Sequence, residues 1–178
     1  MDIALTIFLS CLLVAACITD LREQRIPNLL TYPAMAIALV AHAFLPGGQG
    51  VVFALAGLGV GGGLMLVPFL FGVMGAGDVK LMAAAGAVLG ASAALSAFVL
   101  TTLLGGLYAL FVLCLHRRIF AARLRAYKDA AVVAAATGSL NMPEPDPAQR
   151  LPRLCYGLAI AAGCFAHMLL AANDKSLI

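Results

Sequence analysis

The chain has 178 residues, of which 63% are hydrophobic and only 11% charged, and its mean hydropathy is +1.05. A soluble domain is about 45–50% apolar and about 25% charged, so this chain has too little polar surface for a water-exposed globule. The net charge of +3 gives no reason to expect a nucleic-acid partner. An all-α, polytopic membrane protein remains, because the apolar runs are continuous and strand alternation is absent.

The first apolar run predicts a helix over residues 3–19. Val14-Ala15-Ala16-Cys17 has the look of a lipoprotein cleavage box. No Lys or Arg precedes the run, so a retained helix is expected rather than a signal peptide. Asp20, Arg22 and Arg25 follow it, and then no charged residue appears until Asp78. As a single helix, that empty stretch would be roughly 80 Å long, against a hydrocarbon core of about 30 Å. It must cross twice, with helices predicted over 29–45 and 51–73 and a turn at Leu45-Pro46-Gly47-Gly48-Gln49-Gly50. The double crossing returns Asp78 to the side of Asp20.

A fourth, short helix is predicted from about Asp78. The charge-free residues 81–115 would extend roughly 50 Å, which is long for one crossing and short for two. The positive-inside rule favours two, with a turn near Gly90-Ala91-Ser92. That choice puts Arg22, Arg25 and Lys80 on the same side as the basic residues of 116–153. The last helix is predicted over 154–172. The total is a bundle of about six transmembrane helices with both termini outside. It forms a single membrane domain with a cytoplasmic polar segment at about 116–153, whose Arg-rich start reads either as the positive-inside signal alone or as a contact with anionic membrane lipid. Residues 137–147 carry Gly138, Pro143, Pro145 and Pro147 and read as an irregular loop.

Pro68 suggests a kink near the end of helix 3. Gly57/Gly61 and Gly59/Gly63 are each spaced four apart, and such faces let another helix approach closely. The five cysteines form no C-x-x-C pair and read as small apolar core residues. His42, His116 and His167 are scattered without metal spacing, so no metal or cofactor is expected.

Asp20 and Asp78 carry the chemistry. Acidic residues at membrane depth cost about 2.5–3.5 kcal/mol on insertion scales and are functional candidates by default. Two carboxylates held close share one proton and titrate as a unit. The ionised member accepts a proton from water and the protonated member donates to a carbonyl oxygen, which is the aspartic-protease arrangement. Gly75 and Gly77 remove side-chain bulk beside Asp78, so a substrate backbone could approach there. Lys80 either orients a substrate or anchors at the interface. Arg22 and Arg25 read mainly as positive-inside anchors, and Asn28 as a cap of helix 2 or a substrate contact. A small proton- or cation-coupled transporter is the alternative reading of the same acids.

The sequence resembles the type IV prepilin peptidases, a family of polytopic aspartic proteases. The family's Gly-x-Gly-Asp-x-Lys motif is matched by Gly75, Gly77, Asp78 and Lys80. Its other motif, an Asp followed by a basic residue and then Ile-Pro-Asn, is matched by Asp20, Arg22, Ile26, Pro27 and Asn28. A Pro-Tyr-Gly-x-Ala pattern near the last helix is Cys155-Tyr156-Gly157-Leu158-Ala159 here, with the proline replaced. The resemblance implies Asp20 and Asp78 as catalytic residues. Gly75, Gly77, Lys80, Arg22 and Asn28 would support substrate or dyad. It implies removal of a leader from prepilin or pseudopilin precursors at the cytoplasmic face of the bacterial inner membrane. The bond cut would follow a glycine ahead of an apolar segment. Only residues 20–28 separate helices 1 and 2, so the chain is similar to the short, cleavage-only peptidases of tight-adherence (Flp) pilus systems, without N-methyltransferase activity.

Overall fold

The computed structural model describes residues 3–44, 48–117, 121, 125, 128 and 155–176. Six helices run through them: α1 (Ile3–Glu23), α2 (Asn28–Phe44), α3 (Val51–Leu70), α4 (Ala76–Leu89), α5 (Ala91–Leu115) and α6 (Tyr156–Ser176). No strand occurs among the described residues. Helices α1, α3, α5 and residues Tyr156–Asn173 of α6 are long and apolar enough to cross a membrane, and α2 is a shorter apolar helix. The chain is therefore an all-α, multi-pass membrane protein.

The chain divides into two compact units, Met1–Gly106 with Cys155–Ile178, and Leu107–Leu154. The second unit contains the end of α5, and residues 121, 125 and 128 within it are helical. The expected irregular loop at 137–147 and most of the polar segment at 116–153 lie outside the described residues, as do Leu45, Pro46 and Gly47 of the expected turn.

Within the first unit α4 is the centre. All nine residues from Leu81 to Leu89 are buried. At 14 residues the helix is only about 21 Å long, and α1, α2, α3 and α6 pack around it. The outer helices turn large apolar side chains outward, among them Ile7, Val14, Leu55 and Leu103, as lipid-facing positions require. Small residues face inward, which is how helices pack where lipid is as apolar as the side chains. A Cβ on Gly57 would collide with the Gly86 carbonyl, and one on Gly61 with the Met82 carbonyl. Gly59 and Gly63 face open space. Of the two predicted glycine faces, α3 thus uses only the first.

Boundaries of four helices differ from expectation by two residues or more. Helix α1 continues to Glu23, so Asp20 lies in its last turn rather than beyond it. Gln24 then takes φ 51, the left-handed backbone that closes many helices. Helix α3 ends at Leu70, two residues after Pro68. The chain there tightens into turns, with Gly72 N–H to the Phe69 carbonyl at 2.9 Å and Val73 N–H to the Pro68 carbonyl at 3.1 Å. Pro68 therefore precedes a helix end rather than a kink with helix beyond it. Helix α4 begins at Ala76, because the Asp78 carboxylate, on its third residue, caps the Gly75 N–H. Helix α6 starts at Tyr156 and runs to Ser176. The predicted turn at Gly90 is present, with φ 84.

At the end of the bundle where α2 and α4 finish, His42 is a structural residue. Its Nδ1 accepts the Gln49 N–H at 3.3 Å, which leaves Nε2 to donate to the Val88 carbonyl at 3.1 Å. The cysteines are less uniform than expected: Cys164 is buried, Cys17 and Cys155 are half-buried, and Cys11 and Cys114 are exposed.

Candidate active site

The opposite end of the bundle carries both aspartates. Asp20 is 7% exposed, although it sits in the last turn of α1, where a carboxylate faces the negative end of the helix dipole. Its compensation comes from another helix. The Gly157 N–H, in the first turn of α6, donates to Asp20 Oδ2 at 2.9 Å. The Asp20 carboxylate thus sits against the positive end of α6. The approach is tight, since a Cβ on Gly157 would lie 2.8 Å from Asp20 Oδ2.

Asp78 is 9% exposed and is held by its own helix. Its backbone N–H donates to the Gly75 carbonyl at 3.1 Å, and its Oδ2 accepts the Gly75 N–H at 3.0 Å. This is the carboxylate half of a capping box, which satisfies a helix-start N–H and fixes the side-chain rotamer. Both carboxylates are therefore oriented by a backbone amide on Oδ2. Among the described residues no hydrogen bond to either Oδ1 is made.

The two aspartates line one cavity of about 370 Å³, together with Gln24, Arg25, Ile26 and residues 75–77. They also lie within electrostatic reach of each other. Residues 58 positions apart in sequence meet there because α2 and α3 form an out-and-back pair. Two carboxylates lining a space that admits water suit proton shuttling.

The other predicted residues separate into distinct groups. Gly77 is covered by Ile26: a Cβ on Gly77 would stand 3.1 Å from Ile26 Cβ and 3.3 Å from its carbonyl oxygen. Ile26 of the α1–α2 connection thus packs against Gly77, and both residues line the cavity. Lys80 is absent from the cavity lining. Its Nζ donates to Asn28 Oδ1 at 2.7 Å and lies 4.9 Å from the Tyr32 ring centroid. Asn28 accordingly serves as the partner of Lys80 and not as a side-chain cap of α2. The two motifs are joined by this contact. Arg22 is exposed and does not line the cavity, whereas Arg25 does.

Sequence reasoning missed two contributors. Gly157 acts through its backbone, and only the Tyr-Gly-x-Ala remnant signalled it. Cys155, at the position of the missing proline, directs Sγ to the Asp20 carbonyl at 3.9 Å. Burial and then the Asp20 and Asp78 carboxylates push its thiol pKa up, so it stays a protonated neighbour.

A family model described as the type IV leader peptidase family matches residues 7–110, a stretch that contains both aspartates. No curated protein and no solved structure matches the chain significantly. With the match covering more than half of its length, the chain belongs to the type IV leader peptidase family.

Proposed function

We propose that this peptidase is an aspartic endopeptidase that removes the leader from prepilin-like precursors, with Asp20 and Asp78 as its dyad. The observation that carries the reading is the shared cavity, in which a backbone amide holds one oxygen of each carboxylate. One carboxylate, ionised, takes a proton from water as the water attacks the scissile carbonyl. The other, protonated, donates to the carbonyl oxygen. The tetrahedral intermediate collapses as the first carboxyl passes the water's proton to the leaving nitrogen, the second carboxylate recovers its proton from the intermediate's hydroxyl and the C–N bond breaks, with no covalent enzyme intermediate.

The chain acts in this reading as one membrane domain in the bacterial inner membrane, with the dyad cavity facing the cytoplasm and 116–153 as its cytoplasmic polar segment. Arg22, Arg25 and Lys80 at the dyad end support that orientation under the positive-inside rule. The substrate is a precursor whose apolar segment lies beside the bundle and presents the bond at the cavity. Only residues 24–27 connect α1 to α2, which leaves no room there for a methyltransferase domain.

The test uses membranes carrying Asp20→Asn or Asp78→Asn, incubated with a pilin precursor. Each variant should accumulate in the membrane and leave the precursor intact. Substantial cleavage by either one sinks the dyad. A transporter, by contrast, would show solute flux in vesicles and no proteolysis.

A further inference from the structure

Arg25 lies in the four-residue connection between α1 and α2 and lines the dyad cavity. That connection is pinned on both sides of it. Gln24 closes α1 in the left-handed conformation, with its N–H on the Asp20 carbonyl at 2.9 Å. Ile26 is 8% exposed and packs over Gly77. Arg25 is therefore held at the cavity wall by its neighbours.

Arg25 itself is exposed. It has no ion pair or hydrogen bond among the described residues. The other charged groups lining the cavity are the two aspartates, and their Oδ2 atoms are occupied by backbone amides. Lys80, the nearest basic residue of the second motif, is engaged with Asn28 and Tyr32. A guanidinium is a rigid fork matched to carboxylates. Arg25 lines the same cavity as Asp20 and Asp78, so a peptide bound there lies within reach of its unpaired guanidinium.

We infer that Arg25 is a specificity-determining residue that pairs with an acidic side chain of the precursor within a few positions of the scissile bond. The inference rests on the leader-peptidase reading above and adds a substrate feature to it. The pair would form in the ground state as well as in the transition state, so its loss should raise KM and leave kcat nearly unchanged.

The experiment uses purified full-length protein in detergent. The substrates are precursor peptides that keep the apolar segment and the cleavage glycine, while a single Glu is walked through the positions on either side of the cut. Wild-type protein should prefer one Glu position by about tenfold in KM, the scale of a charge-assisted hydrogen bond. Arg25→Ala should erase the preference, and Arg25→Lys should retain part of it. Arg25→Glu should transfer the preference to Lys at the same position, a gain that misfolding cannot imitate. A Glu preference that survives in Arg25→Ala, or none in wild type, overturns the inference. Failure of wild-type protein to cleave any of the peptides overturns the leader-peptidase reading instead.

Discussion

Replacing Gly157 by alanine places one methyl group against the Asp20 carboxylate. The new Cβ would lie 2.8 Å from Oδ2 and 3.2 Å from Cβ and Cγ of Asp20. Real Cβ contacts essentially never fall under 3.0 Å, so the carboxylate must retreat by some tenths of an ångström. That movement lengthens the 2.9 Å bond from the Gly157 N–H and shifts the carboxylate within the cavity it shares with Asp78. A hydrogen bond to a charged group contributes about 1.5–3 kcal/mol, and a misplacement of about 1 Å costs on the order of 100-fold in rate. Gly157→Ala should therefore lower kcat roughly 10- to 100-fold. Stability moves differently, because alanine in a helix is favoured over glycine by about 0.8–1.0 kcal/mol. That gain offsets part of the strain. The assay pairs cleavage kinetics with thermal unfolding in detergent, with Gly59→Ala and Gly63→Ala as controls because their Cβ atoms meet open space. A kcat within twofold of wild type would show that the Gly157 amide does not position Asp20.

Gly57→Ala should lower the thermal midpoint in detergent by the equivalent of about 1–3 kcal/mol, since its Cβ meets the Gly86 backbone on α4. Gly59→Ala should leave the midpoint unchanged or raise it, and equal effects at the two sites would refute the α3–α4 contact. Lys80→Met should lose its bond to Asn28. A double-mutant cycle with Asn28→Ala should give a coupling of about 0.5–1.5 kcal/mol in unfolding, and additive effects would mean that the two motifs are not tied together there.

Charge scarcity alone determined that the chain spans a membrane, because exposed apolar side chains are stable only against lipid. The empty interval between Arg25 and Asp78 likewise required an out-and-back pair of helices, because bilayer thickness limits how far one helix can run. That parity put Asp20 and Asp78 at the same end. The Gly-x-Gly-Asp pattern marked the neighbourhood of a helix start, but the structure set that start two residues earlier, at Ala76, with Asp78 as the capping third residue.

Contacts between segments distant in sequence were decided only by the fold. Gly57 and Gly59 are alike in composition and spacing, and only the approach of α4 makes the first indispensable. Arg22 and Arg25 read as equivalent anchors until the left-handed turn at Gln24 sent one of them to the cavity. Asn28 looked like a cap until Lys80, 52 residues away, supplied its partner. The hold on Asp20 comes from a backbone amide 137 residues away. A backbone N–H has no residue-specific signature, and its partner is chosen by the packing of α6 against α1.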